Sequence, residues 1–432
     1  MHLKVPTSKN QTRFFQGPFF IFTLLLAACG GGNGNGNGNG NGNGPIVPTA
    51  TAAPAASALV ATGAPATAAT VPGDRATLGQ MIFTDRSLSE PRGVACVACH
   101  QPNLGFAGNN GSAIGVATGS MPGSIGLRNA MTNAYIGFVP AFAFNTSATE
   151  TEAAGGHFWD GRADTPELQA VMPFLNPLEM NNPSRKSVVD KIAAAPYAAL
   201  FRQEFGATIF SDTDAAFNQI GLALAAFERS ATLQSFSSKY DAMLRKQATF
   251  TAPESRGMAL FQDPTKGNCA ACHLMNADSG KPEDSLFSEF TYYATGIPRN
   301  NAIPRNSDPS FYDLGLCGPE RTAPLLPANV LPGVTIENFC GKFRMPTLRN
   351  VAERPAFMHN GFFKDLPSVV RFYSNRKINS TSNDLPAKYQ ANIEKVKAPF
   401  NRAAGDGPAL NEPEVNDIVA FLRTLSDGYR AP

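Results

Sequence analysis

Two pentapeptides decide how this chain is read: Cys96-Val-Ala-Cys99-His100 and Cys269-Ala-Ala-Cys272-His273. In such a run each thiol can form a thioether with a haem vinyl group, and the adjoining histidine is held at the proximal face of the iron. A single match has other readings: chance, a redox dithiol, or half of a zinc site. A zinc ribbon wants its second cysteine pair about 15–20 residues after the first, and here the second pair stands far downstream. Two matches, both closed by histidine, read as two covalently attached haem c groups.

Working outward, the sequence before each pentapeptide repeats. Gly79-Gln-Met-Ile-Phe-Thr-Asp85 precedes the first and Gly257-Met-Ala-Leu-Phe-Gln-Asp263 the second. Each looks like the opening helix of a cytochrome c unit, with glycine allowing a close helix approach and Ile82-Phe83 or Leu260-Phe261 packing toward the haem. The expected fold is mostly α, with two tandem cytochrome c-like haem domains and long Gly/Pro-rich loops. The expected boundaries are 75–245 for the N-terminal domain and 246–432 for the C-terminal one. Phe217, Ile220, Leu224 and Phe227 recur at helical spacing and predict an amphipathic helix from Ser211 to about Leu233. Val415, Ile418, Val419, Leu422 and Leu425 predict a last helix, capped by Asn411 with Glu414 in the capping-box position. Such aliphatic stripes are ordinarily core. No stretch alternates convincingly as a strand, and Leu274 to Lys342 reads as an inserted loop region.

The 432 residues suffice for two domains of ordinary size. Charged residues make up 16% and the net charge is +2, so there is no basic field for nucleic acid. The start of the chain stands apart from the fold. Lys4, Lys9 and Arg13 precede an apolar run from Pro18 to Leu26, which is a secretory signal pattern too short for a stable membrane span. Leu26-Ala-Ala-Cys29 resembles the bacterial lipoprotein cleavage box, and that resemblance makes Cys29 the lipid-bearing N-terminus of the mature chain. Residues 1–29 are then the signal peptide with its lipobox. Residues 30–74, a Gly-Asn repeat followed by an Ala/Thr/Pro-rich stretch, read as a flexible tether. Gly30 in place of aspartate favours the outer membrane by analogy with lipoprotein sorting. The expected location is the periplasm, with membrane contact through the lipid alone. Of the seven cysteines, Cys317 and Cys340 remain. An oxidising compartment permits a disulfide between them, although spacing does not prove proximity.

From about Ala76 to Leu425 the chain resembles the bacterial dihaem cytochrome c peroxidase and MauG superfamily. The resemblance rests on Arg128-Asn129-Ala130, Phe158-Trp-Asp-Gly-Arg162, Asn176-Pro-Leu-Glu-Met180, Phe343-Arg-Met-Pro-Thr-Leu-Arg-Asn350 and Met358-His-Asn-Gly361, in that order. It implies an N-terminal haem that meets hydrogen peroxide and a C-terminal haem that handles electrons. Trp159, the only tryptophan in the chain, falls where the family carries electrons between the haems. Glu179 falls on the family's distal acid–base, which takes a proton from one peroxide oxygen and returns it to the other. Gln169 and Pro173 match the distal pocket. The iron ligands implied are His100 for the first haem and His273 for the second. His359 is expected near the second haem rather than on its iron. The family also holds calcium between its domains, with Asn129 and carbonyls near Arg354 and Ala356 in the corresponding places.

The chain departs from the peroxidase pattern twice. Val116 stands where many resting-state peroxidases have a distal histidine, and none of the five histidines falls in Ala113–Gly119. The first haem is therefore expected to be open, with His157 as the remote alternative ligand. On the second haem, peroxidases use a methionine as the far ligand. Counting on from His359 gives Tyr373, as in MauG-like members, with Met345 and Met358 as rivals. A lone tyrosine on an apolar helix is ordinarily core, and only the register of the motif raises this one. Phenolate favours the higher oxidation states of iron. The combination predicts a peroxide-dependent enzyme that oxidises a partner protein or another donor. The rivals are an ordinary peroxidase fed by a small cytochrome or cupredoxin, and a non-catalytic dihaem electron carrier with both irons fully ligated.

Overall fold

Each pentapeptide sits beside a crossed pair of helices, and the two crossings are built alike. In the first, α1 (Gly73–Thr84) packs on α6 (Thr213–Glu228); in the second, α8 (Ala252–Gln262) packs on α10 (Glu412–Arg423). A Cβ on Gly79 would stand 1.9 Å from the carbonyl oxygen of Ala223, and one on Gly257 would stand 1.9 Å from that of Asp417. A side chain at either position would force the helices apart. Below the first crossing, Leu78, Ile82 and Phe83 share a buried cluster with Phe217, Ile220, Leu224 and Phe227. Below the second, Phe261 lies with Val415, Ile418, Phe421 and Leu422. Burying each such side chain contributes about 1.5–3 kcal/mol.

The computed structural model describes residues 73–375, 383–402 and 406–431. The signal peptide, Cys29 and the tether through residue 72 lie outside them. Within the described residues the first pentapeptide forms the short α2 (Cys96–Cys99). Helices α3 (Pro166–Leu175), α4 (Arg185–Ala193) and α5 (Ala198–Phe205) follow, then α7 (Lys239–Leu244), which lies before residue 245 but buries Tyr240 and Leu244 in the second cluster, and α9 (Leu366–Asn375), which adds Leu366 and Val370 to that cluster. The fold is mostly α, as expected. None of the described helices is long and apolar enough to cross a membrane.

Local chemistry explains the ends of these helices. Asn411 accepts from the Glu414 amide and Glu414 accepts from the Asn411 amide, both at 2.9 Å, so the expected capping box opens α10. Asp212 caps α6 by accepting from Ala215 N at 3.0 Å. That helix ends at Glu228, short of the expected Leu233. The chain turns there so that the Leu233 carbonyl can accept from Tyr135 N at 3.0 Å, with the Leu233 side chain still buried.

The strands are too short to show as periodicity. β1 (Ala143–Thr146) pairs antiparallel with β2 (Thr151–Ala154), and β3 (Tyr292–Tyr293) pairs with β4 (Phe343–Arg344). The expected inserted region, 274–342, contains β3 and otherwise turns and short 3-10 segments. It is tied at several points. Cys317 and Cys340 form a disulfide with their Cα atoms 5.0 Å apart. Buried Asp313 accepts two bonds from the Arg128 guanidinium, at 2.6 and 2.8 Å. The two halves also meet through the backbone: Arg344 N donates to the Trp159 carbonyl at 2.8 Å, and Asn129 N to that of His359 at 2.7 Å.

Candidate functional site: two cavities sharing one tryptophan

Each pentapeptide opens onto its own cavity. Cys96, Cys99 and His100 line the first, of about 140 Å³, and Cys269, Cys272 and His273 line the second, of about 200 Å³. His100 Nδ1 lies 3.0 Å from the Phe106 carbonyl, and His273 Nδ1 lies 2.8 Å from that of Phe287. A carbonyl can only accept, so Nδ1 carries the proton and Nε2 is left as the ligating nitrogen. Burial holds His273 neutral, its pKa pushed down to about 4, and pushes His100 in the same direction.

Helix α3 supplies one wall of the first cavity. Thr165 caps it and Pro166 starts it, where a missing N–H costs nothing. Gln169 and Pro173, one turn apart on the same face, both line the cavity. The chain leaves the helix at Asn176, which takes the extended backbone (ψ 120°) imposed on a residue that precedes a proline, here Pro177. The turn that follows brings Glu179 to the same cavity. Gln169 Oε1 is buried without a protein partner. Burial pushes the Glu179 carboxyl up to about 7, helped by repulsion from Glu320 and opposed by Arg162 and a bond with Asn176.

Three residues with no role in the sequence reading also belong to this cavity: Glu228, Glu320 and Arg162. Glu228 is buried near the end of α6. One oxygen accepts from Asn133 Nδ2 at 2.7 Å and the other has no protein partner. Burial, with a smaller contribution from Glu167, pushes this carboxyl up to about 8. A lone glutamate at the end of a helix gives no local signal of such an environment. His157 lines neither cavity; it is fully buried elsewhere. Burial and then Arg344 push its imidazole down to about 3. Val116 is fully buried.

Trp159 lines both cavities. Its indole N–H donates to the Asn129 carbonyl at 2.7 Å. Its ring meets His359 edge-on at 6.4 Å between centroids, and His359 stacks flat on Phe343 at 3.5 Å. His359 lines the second cavity, beside Tyr373 from α9. Met345 and Met358 line it too, so all three candidates for the far ligand reach the same space.

Haem c fits these cavities. Besides the two thiols and one imidazole in each, Arg354 lines the second cavity as a buried guanidinium. It donates to the carbonyls of Thr347 and Arg349, its Nε has no protein partner, and burial alone pushes it down to about 10. A buried cation of this kind calls for an anion, and haem carries propionates.

Calcium fits less well. Asn129 Oδ1 accepts from Asn109 Nδ2 at 2.8 Å, and its Nδ2 donates to the carbonyls of Ala356 and Met358 at 3.0 and 3.2 Å. Asn109 cannot simply turn over, because its own Oδ1 accepts from Ala130 N at 2.7 Å. The expected residues meet, but hydrogen bonds occupy the oxygen meant for the ion. Among the described residues there is no group of three or more His, Cys, Asp and Glu side chains that could hold a metal.

The family model described as di-haem cytochrome c peroxidase matches residues 73–249. The methylamine utilization protein MauG of Paracoccus denitrificans is 33% identical over 363 residues, covering 83% of this chain and 89% of that protein. Its counterpart in Methylorubrum extorquens is 30% identical, with 82% and 78% covered. The crystal structure of the diheme peroxidase BthA from Burkholderia thailandensis superposes with a TM-score of 0.74 at 37% identity, covering 82% of this chain and 86% of that one. The chain belongs to the bacterial dihaem cytochrome c peroxidase and MauG superfamily, as a peroxidase-type enzyme that uses two haem c groups.

Proposed function

We propose that the enzyme takes hydrogen peroxide at the first cavity and passes the oxidising equivalents through Trp159 to the second, where a partner protein or other donor is oxidised. The observation that carries this reading is that one indole lines both cavities. Cys96 and Cys99 would hold the first haem with His100 on its iron. Cys269 and Cys272 would hold the second, with His273 and Tyr373 as ligands and His359 beside it. Bound haem iron supplies the electrons that cleave the O–O bond.

The side chains manage protons and access. Glu179 takes a proton from one peroxide oxygen and returns it to the other. A carboxyl near 7 gives and takes protons at neutral pH with little cost either way. Gln169, with its buried and unpartnered oxygen, orients the oxygen ligand, and Pro173 shapes the wall. The two haem domains are 75–245 and 246–432. Cys29 anchors the chain by lipid to the periplasmic side of the outer membrane. Calcium at Asn129 would first have to displace Asn109, and no step depends on it.

Met345 and Met358 in the second cavity support a second reading. With methionine as far ligand, the protein is an ordinary peroxidase fed by a small cytochrome or cupredoxin. The unpartnered Gln169 oxygen and the protonatable Glu179 speak against a pure electron carrier.

The test is Trp159→Phe, with optical and EPR spectra taken before and after one equivalent of peroxide. The expected result is that the first haem still responds and the second no longer does. A second haem that responds as quickly as in the parent protein overturns the relay.

A further inference from the structure

The first cavity receives a carboxylate from the second half of the chain. Glu320 lines that cavity, and its Oε2 accepts from the Arg162 guanidinium at 2.8 Å. Arg162 is engaged on its other side by Asp160, at 2.9 and 3.0 Å. The segment bearing Glu320 does not hang free. Arg128 grips Asp313 before it, Arg321 donates to the Asp160 carbonyl at 2.6 Å directly after it, and the Cys317–Cys340 disulfide closes the loop.

We infer that Glu320 is a positioning residue for the peroxide reaction: it holds Arg162 away from Glu179, so that Glu179 remains a proton carrier instead of a salt-bridged carboxylate. The inference rests on the reading of Glu179 as the acid–base. The charges that act on Glu179 are Glu320, which raises its pKa, and Arg162, which lowers it; the neutral Asn176 also lowers it, and burial is the largest cause. Asp160 lies behind Arg162 and helps to fix it. Removing the Glu320 charge acts twice in one direction. A repulsion is lost, and Arg162 is released toward Glu179, whose ionised form it already favours. Both changes favour the ionised form of Glu179.

The experiment is a pH titration of the holoenzyme, followed by the infrared C=O band of the protonated carboxyl and, separately, by the rate of the first reaction with peroxide. Glu179→Gln assigns the band by removing it. Glu320→Gln is expected to lower the midpoint of both readouts by about one pH unit, so that the proton-accepting limb begins at lower pH. Glu320→Asp is expected to restore it, and Arg162→Gln to move it upward. An unchanged or raised midpoint in Glu320→Gln, with Glu179→Gln still abolishing the band and slowing the reaction, overturns the inference and leaves the role of Glu179 standing. If Glu179→Gln changes neither readout, the role of Glu179 falls and the inference falls with it.

Discussion

The two halves share a scaffold and differ in what they bring to it. Both cross a glycine-bearing helix over a second helix, at Gly79 and at Gly257, with the same 1.9 Å exclusion of a Cβ. Both tie the pentapeptide histidine to a backbone carbonyl. The first cavity then collects ionisable and amide groups, Glu179, Glu228, Glu320, Arg162 and Gln169. The second collects aromatic rings and thioethers, Tyr373, Phe343, Phe400, Met345 and Met358, with Arg354 as a buried cation. The repeated parts answer a shared need, which is to seat a pentapeptide and its cavity beside two closely packed helices. The divergent parts match the proposed division of labour, with proton-carrying groups in the first cavity and aromatic rings in the second.

Breaking the proton side should give the largest effect. Glu179→Gln is expected to slow the first reaction with peroxide by about 100- to 10,000-fold with both haems still loaded, as measured by stopped-flow absorbance. In the parent protein the same rate should rise with pH through about 7, where Glu179 loses its proton, and the rise should vanish in the variant. The electron side is broken at Tyr373. Tyr373→Phe is expected to change the low-spin EPR signal of the second haem, whereas Met345→Leu should leave it in place. The reverse pattern would move the ordinary-peroxidase reading ahead. The shared scaffold is tested by Gly79→Ala and Gly257→Ala, each expected to cost about 1–3 kcal/mol in denaturant unfolding. A large difference between them would show that the two crossings are not equivalent. The smallest effect belongs to Asn411→Ala, expected to cost about 1 kcal/mol through loss of the cap on α10.

What the sequence made legible was what chemistry fixes locally. Thioether attachment needs two cysteines and a histidine in one run, so the sequence marks Cys96 and Cys269 as the expected attachment points, and a cavity opens at each. The capping box at Asn411 and Glu414 is likewise a short-range device, and it stands as expected. Gly79 and Gly257 were legible because the motif repeats. Glu320, Glu228 and Arg354 were not, because their character comes from burial among residues distant in the chain. No spacing marks a glutamate that will meet an arginine of the opposite half. Strands of two to four residues carry no usable period, which is why β1 to β4 went unseen. Asn129 was expected to offer an oxygen; its orientation is set by Asn109 and Ala130, a matter of three-dimensional bonding that no motif records.

The hydrogen bond from the Trp159 indole to the Asn129 carbonyl has a consequence for isotopes. A backbone carbonyl is far too weak a base to accept a proton at neutral pH. If electrons cross the indole, its N–H therefore stays where it is. Transfer through Trp159 should run at the same rate in light and heavy water and across the neutral pH range. The proposed proton transfer at Glu179 should slow in heavy water. One solvent exchange would then separate the two halves of the reaction by kinetics alone.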